Sequence, residues 1–391
     1  MRFEEDEPGW LPSVRAALGV CAGPELYLNH GGAGPLPEPA VAASVDALRL
    51  GAERGRGTLE AVMRMEGVAA RLRARVAGLL GAVPRQVGLT SNTTNGLNVA
   101  IWGLDWHEGD EVITTALEHP GLSVPLGVLA RRRGVRLHHI PSREAHDDLP
   151  GAVAALVGPR TRMVALSHVA YGTGAVLDIA ATAAAIAGSG ALVVVDGAQS
   201  AGAIPVDVGA LGADVYAVPA HKWLYGPEGL GAVWVADAAQ DRLDIAFSGY
   251  ESGTAHTPDG GLSAHPGARR FEMSTPPMPL LSGWAASLDW LEETGWPAVH
   301  ERILAGAAAA RAALSDIPGL EVLTPEGPQA GLLSFALEGH DAARACARMA
   351  ARGVIVRWLE HPPALRASWG FHWCHGDVTR LREAVAAVCG C

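Results

Sequence analysis

Short apolar runs rich in β-branched residues alternate with longer stretches of helical spacing through the middle of the chain. Val87–Thr90, Glu111–Thr115, Arg162–Ser167, Leu192–Val195 (running into Asp196) and Asp214–Val218 each read as a strand. Continuous apolar runs suit strands covered on both faces, as in a parallel sheet, rather than half-solvated ones. Residues 37–82 carry two helical stretches rich in Ala, Leu and Arg, with Glu60 and Arg64 spaced as an i,i+4 ion pair. Ala180–Ala187 also reads as a helix. A short helix near Leu11–Leu18 and a strand at Tyr27, running into the Gly-rich turn Gly31–Pro35, come first. The strand–helix alternation from 87 to 235 predicts an α/β fold on a mostly parallel sheet with covering helices. Past Trp234 the periodicity breaks. Phe247–Gly267 is too polar for core and too long for a tight turn, which predicts a functional loop. Helices at 281–294, 296–314, 341–351 and 377–388 then interleave with strands at Gly319–Val322, Gly331–Phe335 and Gly353–Arg357. That mixture predicts a smaller C-terminal α+β domain. No internal repeat is visible.

Composition narrows the picture. The 391 residues suffice for a large core and two subdomains, and 49% hydrophobic residues with 48 Gly and 26 Pro mark an ordered, loop-rich globular chain. Thirty basic against 41 acidic residues give a formal charge of −11, and Arg131–Arg133 is the one basic run that stands out. It suits a helix surface, so no nucleic-acid partner is expected. No apolar run approaches membrane-spanning length, and the opening MRFEEDEPGW is acidic where a signal peptide is basic. A cytoplasmic protein without a membrane partner is the expectation. The five Cys (21, 346, 374, 389 and 391) lack zinc-site spacing, and their odd number argues against a disulfide framework. No metal is expected, and Cys389-Gly-Cys391 reads as an incidental feature of the tail.

Candidate chemistry begins where two strands end. Leu192–Val195 delivers Asp196 to the carboxyl end of its strand, where an open α/β sheet presents polar groups to a crevice. Asp214–Val218 leads to His221 and Lys222, with Gly226 and Gly229 following. A Lys and an Asp so placed fit a lysine joined to pyridoxal phosphate as a Schiff base and a carboxylate that keeps the pyridine nitrogen protonated. On spacing alone, a turn-forming Asp and a solvated Lys are the commoner case. Ser91–Thr94 before an apolar run is N-cap chemistry, and a helix N-terminus also attracts anions. On pattern alone, His119 before Pro120 is a turn residue, Tyr27–Pro35 a connector and Arg366 a strand-end residue.

The wording decides between these. VDGAQSAG (Val195–Gly202) followed by HKWLYGPEGLG (His221–Gly231) resembles the cysteine desulfurase and class V aminotransferase family, a fold-type I pyridoxal-phosphate group. The similarity runs from about residue 27 to 390. It implies a mostly parallel seven-stranded-type sheet with covering helices, plus a smaller C-terminal α+β domain. The implied division is an N-terminal arm (1–30) joining the small domain, a cofactor-binding domain (31–265) and the small domain (266–391). By the resemblance Lys222 is the Schiff-base lysine, Asp196 the pyridinium partner and His119 the ring stacked on the pyridine. Gln199 meets the phenolic oxygen, while His221, Thr93 and Thr94 meet the phosphate. Pro219-Ala220 stands where the family often has Ser-Gly, so one phosphate-binding hydroxyl is missing. His168, in a HVAYGTG segment closer in wording to kynureninases, is placed near a cofactor oxygen. Thr275, within RRFEMSTPP, implies a phosphate contact across a two-fold homodimer interface. Arg366 matches the clamp for a substrate α-carboxylate, and Asn29 and His30 fall at the edge of the site.

One absence is informative. Desulfurases carry a catalytic Cys a few residues after an Arg equivalent to Arg357; here Trp358–Pro363 follows, without Cys and in a shortened loop. Cys374 lies outside that motif. The expected activity is therefore β-elimination at a C–S bond of a cysteine-derived amino acid. Cysteine desulfurase or selenocysteine lyase-like chemistry, transamination, epimerisation and kynureninase-like hydrolysis are the alternatives.

Overall fold

The computed structural model describes residues 7–390; residues 1–6 and Cys391, with their share of the expected acidic arm and terminal cysteine pair, lie outside the described residues. A seven-stranded sheet organises the chain. Its order is Val87–Thr90, Gly231–Val235, Val215–Pro219, Leu192–Asp196, Thr161–Ser167, Glu111–Thr115 and Arg136–Ile140. Neighbouring strands run parallel except that Gly231–Val235 is antiparallel to both its partners. Both faces are covered. Leu192 and Val194 enter one core cluster, whereas Val193 and Val195 enter another on the opposite face. The strand must be apolar throughout because it has no solvated side.

Close packing brings helices onto this sheet. A Cβ on Gly96 would lie 2.9 Å from the Ala217 Cβ, so glycine lets the Thr93–Gly103 helix sit directly on the central strands. A second, four-stranded antiparallel sheet has the order Leu320–Val322, Leu332–Leu337, Ala364–Ser368 and Arg357–Leu359. Leu333, Phe335, Leu365 and Ala367 from it share a third core with Leu314 and Leu381, which belong to the helices Trp296–Leu314 and His375–Cys389.

The segment Leu26–Gly34 ties the two sheets together. Leu26–Tyr27 pairs in parallel with Val354–Ile355, Asn29 bridges to Ser368, and the Gly34 N–H donates to the His221 carbonyl at 2.7 Å. A Cβ on Gly34 would lie 2.1 Å from the Lys222 carbonyl oxygen, so only glycine permits this approach.

Several elements differ from the sequence expectation, which named no strand at Gly231–Val235 or Ala364–Ser368. Arg136–Ile140 is an edge strand whose RLHHI wording, with Arg136 and His139 exposed, has no apolar signature. Ser142–Leu156 is a helix broken at Asp148 and containing Pro150, which masks its periodicity. The expected strand Gly353–Arg357 is two strands, Val354–Ile355 and Arg357–Leu359, serving different sheets. Inside Phe247–Gly267 a short antiparallel ribbon, Gly253–His256 with Leu262–Ala264, stands exposed.

Candidate active site

A cavity of about 220 Å³ opens at the carboxyl ends of the central strands. Thr93, Thr94, His119, Asp196, Gln199, His221, Lys222 and Arg366 all line it, together with Tyr171 and Arg357. Its placement follows from topology, because the strand ends at Asp196 and the turns beyond Ser167 and Pro219 converge there.

Asp196 is 5% exposed, and its Oδ1 accepts the Ala198 N–H at 2.9 Å. Burial raises its proton affinity, and the nearby Lys222 opposes that rise. Lys222 moves the other way: burial pulls it down to about 8, Asp196 resists, and Arg366 and Arg357 add to the fall. The amine is thus closer to its neutral form than a surface lysine. Burial first, then the same three cations, bring His119 down to about 4. Its Nδ1 accepts the Gly121 N–H at 2.9 Å, so the neutral ring carries its hydrogen on Nε2. Tyr171 stands edge-on to that ring at 4.9 Å.

The opposite end of the cavity is a helix N-terminus. Asn92 caps the Thr93–Gly103 helix by accepting the Asn95 N–H at 2.8 Å, which orients the first-turn N–H groups toward the space beside Thr93 and Thr94. The Nδ1 of His221 is buried there without a hydrogen-bond partner among the described residues. Gln199 also lines the cavity, but its amide is partly engaged: Nε2 donates to the Gly31 carbonyl and Oε1 accepts from the Trp223 indole.

The remaining wall is a β-hairpin. Arg357 and Arg366 are direct cross-strand partners, so their side chains leave the same face. Arg366 is 1% exposed, its Nη1 donates to the Tyr171 carbonyl at 2.8 Å, and its Nε is unpartnered among the described residues. Burial and then Arg357 pull its guanidinium down to about 9. Among the described residues neither arginine has a carboxylate partner. Directly opposed like charges are unfavourable, and an anion entering the cavity would relieve the pair. Cys21, Cys346, Cys374 and Cys389 all lie off the cavity wall.

Four expected residues lie elsewhere. His30 is fully buried behind the wall, its Nδ1 2.9 Å from the Ser368 carbonyl and its ring against Tyr27, Trp223, Tyr225 and His372. Asn29 keeps a buried Oδ1 beside Gly32, which itself lines the cavity. His168 contacts the Tyr216 hydroxyl at 2.8 Å. Thr275 bonds Tyr250 and borders a separate groove of about 1080 Å³ between Glu38–Arg54, Leu59–Leu79 and Met278–Thr294. Arg357 and Tyr171 are the large side chains on the cavity wall that the sequence did not assign to the site; Gly31, Gly32, Asn92 and Ala198 line it as well. Strand parity between 357 and 366 and the HVAYGTG wording were the available signals.

A buried strand-end carboxylate, a lysine of lowered proton affinity and an anion-ready helix end, with His221 awaiting a partner, form a donor set that fits pyridoxal phosphate. With the doubly covered sheet they define a fold-type I pyridoxal-phosphate enzyme. The chain belongs to the class-V aminotransferase family, whose model matches residues 26–381. A probable cysteine desulfurase of Methanothermobacter thermautotrophicus is 29% identical over 86% of this chain and 84% of its own length. Isopenicillin N epimerase of Streptomyces clavuligerus is 30% identical over 93% of this chain and 95% of its own. The cystine C–S lyase C-DES, solved with its product cysteine persulfide, superposes with a TM-score of 0.88 at 29% identity, covering 93% of this chain and 98% of that one. Another C-DES structure holds glycine covalently linked to the pyridoxal-phosphate cofactor.

Proposed function

We propose that this chain is a pyridoxal-phosphate-dependent carbon–sulfur lyase acting on a cysteine-derived amino acid. Cystine is the simplest candidate, and S-substituted cysteines and their sulfoxides belong to the same class. The reaction consumes one water and yields pyruvate, ammonia and a sulfur product. The observation that carries the reading is the Arg357–Arg366 hairpin, which offers two guanidinium groups and no thiol. Desulfuration needs a thiolate to take the sulfur, and elimination does not.

In this reading Arg366 clamps the α-carboxylate and Arg357 meets a second acidic group further along the substrate. Lys222 would attach the cofactor, Asp196 would face the ring nitrogen, Gln199 the phenolic oxygen, and Thr93, Thr94 and His221 the phosphate. When bound, pyridoxal phosphate supplies an electron sink for the α-carbon. Lys222 Nζ takes the α-proton, and its lowered proton affinity keeps part of it unprotonated near neutral pH. The neutral His119 ring would cover one face of the cofactor, with its hydrogen on Nε2. His168, Asn29 and His30 act from behind the wall, fixing Tyr216, Gly32 and the Ser368 strand end.

We place the enzyme in the cytoplasm as a homodimer. A second copy seated on the Thr275 groove would deliver that hydroxyl to its partner's phosphate site. The division into an arm (1–30), a cofactor domain (31–265) and a small domain (266–391) is kept as part of this proposal. The test is a screen of cystine, S-alkylcysteines, cysteine sulfoxides, cysteine and kynurenine, scoring pyruvate, alanine and keto acids separately. Pyruvate from cystine is expected; alanine as the main product would replace elimination by desulfuration or C–C cleavage.

A further inference from the structure

Beneath the cavity lies a carboxyl with no part in the reaction above. Glu118 precedes His119, is 7% exposed, and sits where three strand ends meet. Thr115 ends one strand, Ser167 the next, and Asp196 is the direct register partner of Ser167. Glu118 Oε1 lies 2.7 Å from the Thr115 hydroxyl, and Oε2 lies 2.6 Å from the Ser167 hydroxyl. Among the described residues no cation pairs with it. The charged group that acts on it is Asp196 on the adjoining strand end; Thr115 and Ser167 face it as neutral hydroxyls.

Two buried carboxyls on one crevice floor do not both ionise cheaply. Asp196 has a cation, Lys222, and the Ala198 N–H to favour its charge, whereas Glu118 has only neutral donors, the Thr115 and Ser167 hydroxyls and the Ser167 backbone N–H. Burial pushes Glu118 up to about 7, and the Asp196 charge adds to that rise.

We propose that Glu118 is a positioning residue held as an uncharged acid, joining two strand ends through their hydroxyls and leaving Asp196 the sole negative charge at the floor of the site. An uncharged acid donates one of its hydrogen bonds and accepts the other, which locks the main chain leading into His119. The inference rests on Asp196 facing the cofactor, and its first test needs no cofactor at all.

Infrared difference spectra of the full cofactor-free chain carrying ¹³C-glutamate, wild type minus Glu118→Gln, are recorded at about pH 6. A protonated-carboxyl band lost in the variant is expected. In Asp196→Asn the pH midpoint of that band falls by about half a unit or more, because the neighbouring charge is gone. A carboxylate signal at that pH, or a midpoint that ignores Asp196, overturns the proposal. If Glu118→Gln does not fold, the wild-type band and its response to Asp196→Asn decide alone. In the loaded protein, Glu118→Gln keeps the cofactor's visible band and its affinity within about twofold, and Glu118→Ala weakens affinity roughly tenfold. Equal affinity in wild type and Glu118→Ala overturns the positioning role.

Discussion

The two halves of the crevice are built by different means. Asp196, Lys222 and His119 stand at the ends of central strands buried on both faces, where neighbours on every side fix them. Arg357 and Arg366 stand on a hairpin whose outer strand, Arg357–Leu359, is three residues long and forms the edge of the smaller sheet. One half holds an acid, an amine and an imidazole whose proton affinities burial has moved; the other pairs a buried guanidinium, Arg366, with an exposed one, Arg357. The difference separates two tasks. Chemistry common to a family needs rigid, desolvated groups, Arg366 among them, whereas the finer choice of substrate is assigned to Arg357 on a short, exposed edge that tolerates change.

The sharpest way to break the comparison is Lys222→Ala. It should abolish the visible absorbance of the bound cofactor and all turnover; a yellow, active variant would remove the central half from the chemistry. Next comes Arg366→Ala, expected to lower kcat/KM about 10²-fold or more, equivalent to roughly 3 kcal/mol, by steady-state kinetics. Arg357→Ala should cost about tenfold with cystine and almost nothing with a substrate lacking the second acidic group. Equal losses on both substrates would make the hairpin a general anion site rather than a selective one.

A smaller effect concerns the cofactor-free protein. The Lys222 amine falls to about 8 on folding, below its unfolded value. Between about pH 8 and 10 the unfolded chain therefore holds more protons than the folded one, and stability increases as pH rises through that window. Lys222→Met should remove that increase and raise the melting temperature near pH 7 by about 2 °C, read by calorimetry. Least of all, Cys374→Ser should leave sulfur release within about twofold of wild type. Cys374 caps the His375–Cys389 helix, and burial raises its thiol.

What the amino-acid order revealed follows the same division. Most strands buried on both faces announced themselves as apolar runs, Gly231–Val235 being missed, and Asp196 and Lys222 were legible because of the wording around them. Arg136–Ile140 was hidden because an edge strand needs only one buried end residue, Ile140. His30 and His168 carry wording like that of active-site residues, yet they pack behind the cavity against Tyr225 and Tyr216. A linear pattern reports proximity along the chain, and which face of a turn a side chain takes depends on partners far away. Arg357 needed its opposite strand before its direction was defined.

The Leu26–Gly34 clasp has a consequence for biosynthesis. Leu26 finds its partner at Val354 and Asn29 at Ser368, so a segment made early must wait until residues more than 300 positions later have left the ribosome. Until then the Gly34 contact with His221 has nothing to anchor its other end, and the spacing between Lys222 and Arg366 is not set. The nascent chain can assemble its central sheet first, but it acquires a working crevice only once Val354 and Ser368 are free to close the clasp.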